Sequence, residues 1–435
     1  MNKYKKDFPI FSEKLKKEFN KIGLIDESSS YINKNFNYEN FAYLDSAATS
    51  MICENALRGV VEYEMYYRSN VHRGAHYLAN KSTELYEEAR KTIAKFINAT
   101  VPSEIVFTKG ATDGSNLIAN SWGKHNLRKG DVILLSDSEH SSNSFPWESL
   151  ADEIGCEINY IPTNKKGFLD LKSIKTDWTR VRVVAFPYVS NVLGVINSPK
   201  EVSKYVKKRV IEAKKLKGSD KNKKKYYPII VLDGSQAVGK LPINVQKLGI
   251  DFLFFSGHKM YGPMGTGVLW MNRDLLNNMY PYQTGGGMLD GYKEKIFEAG
   301  TPNVSGAIGL SLSAKYIESI GFDNIREHEL EILKYTFQKM EDMGCFDIYG
   351  SKNPNEKSGV ISFNAKNIPA HDLAAILDVE GVAIRAGYHC VLKWHKDNKY
   401  YGTARISFGI YTTKSDIDKF LKAVDKAYVI LGMKK

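Results

Sequence analysis

The sequence predicts an α/β protein with a large domain, built on a mostly parallel seven-stranded sheet, followed by a smaller α+β domain. Between about residues 100 and 272, short apolar segments alternate with segments of helical periodicity. Short apolar runs without polar alternation are typical of strands buried on both faces. The strand–helix repetition favours a doubly wound arrangement. The predicted strands are 105–107, 132–135, 158–161, 181–186, 229–232, 252–255 and 268–271.

After Gly306 the pattern changes, which predicts the start of the smaller domain. A long helical region extends to about Met343, and a helix with one apolar stripe begins near Ser415. Between them lie three predicted strands, near 359–363, 382–385 and 404–408. We therefore expect an N-terminal helical segment at 1–40, a large domain at 41–305 with a lysine-rich insertion at 203–227, and a small domain at 306–435.

The N-terminal segment carries Phe11, Leu15, Phe19 and Ile22 on one face of a predicted helix, which favours a docked helix. It lacks the apolar core of a signal peptide, and its acidic residues are unlike a transit peptide. No apolar run approaches the roughly 20 residues that cross a membrane. A cytoplasmic protein without a membrane partner is expected.

Most of the net charge of +12 lies in one stretch. Residues 203–227 contain ten Lys and one Arg against two acids. A solvated helix and a lysine-rich loop are the main interpretation, and a docking patch for an acidic partner is the alternative. Nucleic acid is not expected, because aromatic residues for base stacking are not interleaved with the charges.

The four cysteines are scattered without a C-x-x-C pair. This spacing argues against a disulfide framework and against a structural zinc site, so no metal is expected.

Four polar segments follow predicted strands, where an open α/β sheet collects its ligands. Residues 108–114 are rich in small residues and open a helix, which suits anion binding, although such turns are common. Asp233 ends an apolar strand, so it pairs with a cation such as a protonated pyridine nitrogen, or it caps a helix. His140 can stack on an aromatic ligand or cap a helix.

The fourth segment places Lys259 directly behind an apolar strand, flanked by Ser256 and His258. Most lysines are exposed, but a lysine in this position is desolvated, which lowers its pKa and makes its amine usable for covalent chemistry with a carbonyl group.

Together these segments resemble the fold-type I pyridoxal-phosphate enzymes, and within them the class V aminotransferase family that includes the cysteine desulfurases. The resemblance extends from about Tyr43 to the C-terminal helix, and it is strongest at 71–74, 190–194, 256–259 and 297–302. It implies a fold-type I architecture, a homodimer and pyridoxal 5'-phosphate as cofactor.

The resemblance also implies a role for individual residues. Lys259 would carry the cofactor covalently, with Asp233 on the pyridinium nitrogen. The other cofactor contacts implied are His140 stacked on the ring, Gln236 at the phenolic oxygen, Thr112, Ser256 and His258 at the phosphate, and Thr301 reaching the phosphate from the other subunit. The substrate contacts implied are Asn191 and Arg405 at the carboxylate, with Arg385, His72 and Ala47 nearby.

Cys390 distinguishes among the members of this family. The segment 385–390 resembles the Arg-x-Gly-x-His-Cys segment of the SUF-type desulfurases, in which the cysteine is the nucleophile. A lone cysteine is more often a small buried apolar residue. Here His389 and Arg385 could stabilise a thiolate. Two features depart from the family pattern: Tyr388, where relatives often carry His, and the long lysine-rich stretch.

The function implied is conversion of L-cysteine to L-alanine with a persulfide on Cys390. The sulfur would pass to an acceptor protein of the SUF type, for iron–sulfur cluster assembly or other sulfur trafficking. His140 is a candidate proton donor or acceptor at the substrate thiol. The alternatives are a selenocysteine lyase, a kynureninase, an aminotransferase, or a binding protein that keeps the fold without catalysis.

Overall fold

The computed structural model describes residues 3–21, 41–72, 74–216, 228–288 and 297–435. Its helices are α1 Glu13–Lys21, α2 Glu54–Tyr66, α3 Tyr77–Phe96, α4 Ala111–Ile118, α5 Lys124–Asn126, α6 Ser141–Ile154, α7 Pro199–Leu216, α8 Val245–Leu248, α9 Val304–Ile320, α10 Phe322–Met343, α11 Ala370–Val379, α12 Leu392–Asp397 and α13 Lys414–Ile430. Its strands are β1 Ala42–Tyr43, β2 Ile105–Thr108, β3 Val132–Ser136, β4 Glu157–Ile161, β5 Val181–Pro187, β6 Ile229–Asp233, β7 Phe252–Ser256, β8 Gly267–Met271, β9 Phe346–Ile348, β10 Val360–Ala365, β11 Val382–Ala383, β12 Arg385–Gly387 and β13 Thr403–Ser407.

The large sheet has seven strands in the order β2-β8-β7-β6-β5-β3-β4. Strand β8 is antiparallel to both of its neighbours, and the remaining pairs are parallel. The predicted fold class is confirmed, and each of the seven predicted strands is present.

Both faces of the large sheet are covered, which explains why its strands lack polar alternation. Every residue of β3, β6, β7 and β8 is buried. Along β6, Ile230 and Leu232 belong to one apolar cluster, whereas Ile229 and Val231 belong to a second one. Successive side chains of a strand point to opposite faces, so the two clusters are the two sides of the sheet.

The small sheet has the antiparallel order β12-β13-β10-β9. Strand β1 pairs in parallel with β11, and Ala42 and Leu44 join the apolar cluster beside the small sheet. The predicted strand at 382–385 is divided, because β11 pairs with β1 whereas β12 pairs with β13. The predicted helical region after Gly306 is two helices separated by Gly321, whose φ of +84° an L side chain rarely adopts.

The N-terminal prediction is tested only in part. Helix α1 buries Leu15 and Phe19, and Phe11 lies in a short turn before it. Ile22 lies outside the described residues.

The lysine-rich stretch begins in helix α7. Val202, Val206 and Val210 of this helix are buried against the large sheet, while Lys204, Lys208 and Lys215 are exposed. Residues 203–216 therefore belong to the helical layer, and residues 217–227 lie outside the described part of the chain. No described helix is both long and apolar enough to cross a membrane.

A buried ion pair joins α3 to the segment at 297–302. Arg90 donates to both carboxylate oxygens of Glu298, at 2.7 and 2.8 Å. The same carboxylate accepts the Tyr86 hydroxyl at 2.9 Å and the Phe107 backbone N–H at 2.7 Å. Glu298 thus anchors the segment 297–302 to α3, a structural role that the sequence pattern alone did not indicate.

We expect Glu298→Ala to lower the free energy of unfolding by about 3–5 kcal/mol, since it leaves the Arg90 guanidinium buried without its partner. Urea denaturation measures the change. The matched control is Glu157→Ala, which removes the exposed partner of Arg180 and should hardly move the midpoint. Equal urea midpoints for the two variants would contradict the stabilising role of the Glu298–Arg90 ion pair.

Candidate active site

The carboxyl ends of β3, β5, β6 and β7 meet at one edge of the large sheet, since these strands are parallel neighbours. A cavity of about 220 Å³ opens there. It is lined by Ala47, Ala48, Ala111, Thr112, His140, Ser142, Asn191, Asp233, Ser235, Ser256, His258, Lys259, Arg385 and Arg405. Most of the residues predicted for the site are therefore brought together.

Lys259 ends a short 3-10 turn directly after β7. Burial lowers the pKa of its amine, while the negative charge of Asp233 acts in the opposite direction. Desolvation thus favours the neutral amine, the form that reacts with a carbonyl group and accepts a proton.

Asp233 is the last residue of β6, and its Oδ1 accepts the Ser235 backbone N–H at 2.8 Å. It therefore orders the following turn while it lines the same cavity as Lys259. Gln236 lies behind this turn, and its Nε2 donates to the Ala47 carbonyl at 2.7 Å. In the chain as described, this amide supports the cavity wall at Ala47 and does not itself line the cavity.

The N-terminus of α4, here called the α4 cradle, lines the cavity through Ala111 and Thr112. The Ala111 N–H donates to Ser256 Oγ at 2.8 Å, and the Thr112 hydroxyl lies 2.8 Å from Ser142 Oγ. A Cβ at Gly267 would lie 2.6 Å from the Gly110 backbone, so only glycine permits this close approach. Backbone N–H groups at a helix N-terminus favour phosphate.

His258 borders the same cradle. Its Nδ1 lies 3.1 Å from Thr49 Oγ1. Burial, followed by the charge of Lys259, lowers the pKa of His258 to about 4, so the ring is neutral near pH 7.

His140 both caps a helix and lines the cavity, so the two interpretations of this residue are compatible. It precedes α6, and its Nδ1 accepts the Ser142 N–H at 3.0 Å. Burial and the neighbouring cations Lys259, Arg385 and Arg405 lower its pKa to about 3. The ring is consequently neutral, with its proton on Nε2 because Nδ1 is an acceptor.

Arg405 lies on β13, directly opposite Arg385 on β12. It is only 1% exposed, and it donates to the Asn191 carbonyl and to Asp45 Oδ1, each at 3.0 Å. Its Nε has no partner among the described residues. A buried guanidinium with a free donor, at the wall of a cavity, suits a substrate carboxylate.

Asn191 lines the cavity, but its side-chain amide is engaged elsewhere, donating to the His389 carbonyl at 2.8 Å. In this structure it holds the loop of Cys390. Its predicted contact with the substrate carboxylate stays a prediction.

Cys390 lies in a tight turn closed by a hydrogen bond from Val391 N–H to the Tyr388 carbonyl at 2.8 Å. The Cys390 carbonyl accepts two hydrogen bonds of 2.8 Å from the backbone N–H and the hydroxyl of Ser141. Arg385 Nη2 lies 3.5 Å from Cys390 Sγ. The thiol is therefore held beside one residue of the cavity wall, Arg385, although Cys390 is not itself among the residues that line the cavity.

His72 and Thr301 do not line the cavity of the single chain. The backbone N–H of His72 donates to Thr83 Oγ1 at 2.8 Å, and its φ is +73°. Thr301 is exposed, three residues before α9. Its predicted reach into another subunit stays a prediction.

Asp45 is a residue of the site that sequence reasoning missed. It follows β1 and bridges to Ser407, which places its carboxylate on Arg405. The available signal was an acid directly after a short apolar strand, in the segment 43–49. The described residues contain no cluster of His, Cys, Asp and Glu side chains fit to hold a metal.

A model of the aminotransferase class-V family matches residues 42–420. A probable cysteine desulfurase of Halalkalibacterium halodurans is 38% identical over 400 residues, covering 90% of this chain and 94% of that protein. A probable cysteine desulfurase of Staphylococcus aureus is 37% identical over 435 residues, covering 98% and 96% respectively.

Solved structures show the same similarity. The apo structure of a cysteine desulfurase from Thermococcus onnurineus matches with a TM-score of 0.80 and 36% identity, covering 91% of this chain and 96% of that chain. A cysteine desulfurase from Escherichia coli matches with a TM-score of 0.75 and 30% identity, covering 90% and 95%. The family expected from the motifs is confirmed. This chain belongs to the aminotransferase class-V family.

Proposed function

We propose that the protein is a pyridoxal-phosphate-dependent cysteine desulfurase that releases L-alanine and retains the sulfur as a persulfide on Cys390. The observation that carries this proposal is one cavity lined by a desolvated lysine and a buried arginine, with the Cys390 thiol 3.5 Å from Arg385 of the cavity wall. The similar proteins named as cysteine desulfurases support it.

The residues of the cavity fit the proposed cofactor. Lys259 offers an amine for its aldehyde and Asp233 a carboxylate for its ring nitrogen. The N-terminus of α4, with the hydroxyls of Thr112 and Ser256, offers donors for its phosphate. When bound, pyridoxal phosphate supplies an electron sink for the carbanion formed at Cα.

The protein side chains would divide the remaining work. Arg405, at the cavity wall, holds the substrate carboxylate with its guanidinium, and the Lys259 amine removes the Cα proton. The Cys390 thiolate attacks the substrate sulfur, so that an S–S bond forms while the Cβ–S bond breaks. The electron pair of the broken bond goes to the substrate carbons, where protonation completes alanine.

Two further parts of the proposal concern partners. A second copy of the chain would contribute Thr301 to the phosphate site, which makes a homodimer. The sulfur would leave on an acceptor protein that reaches into the site, because the Cys390 turn is tied to Ser141 and Asn191 and cannot extend outward.

The test is release of alanine and sulfide from L-cysteine by the purified protein. Equimolar products are expected in the presence of a thiol reductant, with faster alanine release when a cognate acceptor protein is added. Equal rates with and without the acceptor would contradict acceptor-assisted transfer. Absence of both products under both conditions would contradict desulfuration itself.

A further inference from the structure

The turn that carries Cys390 has an unfavourable backbone. His389 and Cys390 occupy its two central positions with φ of +51° and +59°. Turns with positive φ at both central positions strongly favour glycine, asparagine or aspartate, and other residues there are strained. Such a turn persists only where its surroundings hold it.

A buried hydrogen-bond chain holds the His389 side of the turn. His389 Nε2 lies 2.9 Å from Thr403 Oγ1, and the same hydroxyl lies 3.2 Å from His395 Nε2. His395 Nδ1 lies 2.9 Å from the Val391 carbonyl. His389, Thr403 and His395 are all buried.

The direction of donation along these hydrogen bonds follows from the last of them, between His395 and the Val391 carbonyl. A carbonyl oxygen only accepts, so His395 Nδ1 donates to Val391. Burial lowers the pKa of His395 and of His389, so both rings are neutral. His395 Nε2 then accepts the Thr403 hydroxyl proton, and Thr403 Oγ1 in turn accepts from His389 Nε2. His389 Nδ1, which has no hydrogen-bond partner among the described residues, therefore carries a lone pair and no hydrogen. Burying a lone pair without a partner costs less free energy than burying an N–H group without one.

The chain begins and ends on the turn itself. The hydrogen bonds run from the ring of His389 to the carbonyl of Val391, which are the residues immediately before and after Cys390. Thr403 lies on β13 two residues before Arg405, and residues two apart in a strand face the same side. One strand thus presents both the proposed carboxylate anchor and the support of the thiol turn.

We propose that Thr403 and His395 are positioning residues that hold the strained turn of Cys390 in the conformation that places its thiol beside Arg385 of the cavity wall. The expected loss of alanine formation in variants of these residues rests on the proposed desulfurase function. The expected loosening of the turn does not depend on that function.

The test compares Thr403→Val, which is isosteric but lacks the hydroxyl, with Thr403→Ser, which keeps it. Hydrogen–deuterium exchange of the holoenzyme should show faster exchange in the peptide 386–394 for Thr403→Val and for His395→Phe, with Thr403→Ser close to wild type. The kcat of alanine formation should fall about tenfold in Thr403→Val and in His395→Phe, which is the factor expected from the loss of one buried hydrogen bond. KM for L-cysteine should stay near the wild-type value, since Arg405 keeps its own contacts.

Wild-type exchange at 386–394 in Thr403→Val and His395→Phe would overturn the proposal, as would equal effects of Thr403→Val and Thr403→Ser. If the wild-type enzyme released no alanine from cysteine, the desulfurase function would fail, and the exchange data would still decide whether the turn is held as proposed.

Discussion

Lys259→Ala is expected to lower the rate of alanine formation from L-cysteine by about a thousandfold or more, the scale of losing both a covalent anchor and a general base. Lys259 lines the cavity just after the end of β7, and Asp233 lines it at the end of the neighbouring strand β6. No other lysine lines the described cavity, so none is placed to take over the proton at Cα. The visible absorption band of the lysine-bound cofactor should disappear in the same variant.

The chain offers a matched control in Lys357. Lys357 is fully buried, and burial lowers its pKa to about 7, but it does not line the cavity. Lys357→Met should therefore keep the absorption band and the rate of alanine formation per folded molecule. If Lys259→Ala retained substantial alanine formation, the assignment of the catalytic amine would be wrong.

Cys390→Ser is expected to lower alanine and sulfide formation from L-cysteine by about a hundredfold to a thousandfold, since the hydroxyl of serine is a far weaker nucleophile than a thiolate. Arg385 Nη2 lies 3.5 Å from Cys390 Sγ, so the sulfur is held beside a residue of the cavity wall. Mass spectrometry of the wild-type enzyme after exposure to cysteine should locate the persulfide on the peptide of Cys390.

The variant should still respond to cysteine in its absorption spectrum, because Lys259 and Arg405 are unchanged. Cys156→Ser is the control, since Cys156 is a partly exposed cysteine whose thiol donates to the Arg128 carbonyl at 3.4 Å and, unlike that of Cys390, has no contact with Arg385 of the cavity wall. Undiminished desulfuration by Cys390→Ser, or a persulfide found on Cys156 instead, would rule out the proposed nucleophile.

The sequence alone determined the seven strands of the large sheet and the position of its site. The strands were predictable because burial on both faces requires short continuous apolar runs, and that requirement is local. His140, Asp233 and Lys259 were predictable as neighbours because the carboxyl ends of parallel strands meet at one edge. The motifs then identified the family.

The tertiary structure alone decided how the thiol is held. The sequence placed Cys390 near Arg385, but it did not predict two successive residues with positive φ, nor the clasp by Ser141 and Asn191. Asp45 was missed for the same reason, since its partner Arg405 lies 360 residues away in the chain. Such contacts join elements with no local relation in sequence. Their geometry is set by how the two sheets pack, which no pattern along the chain encodes.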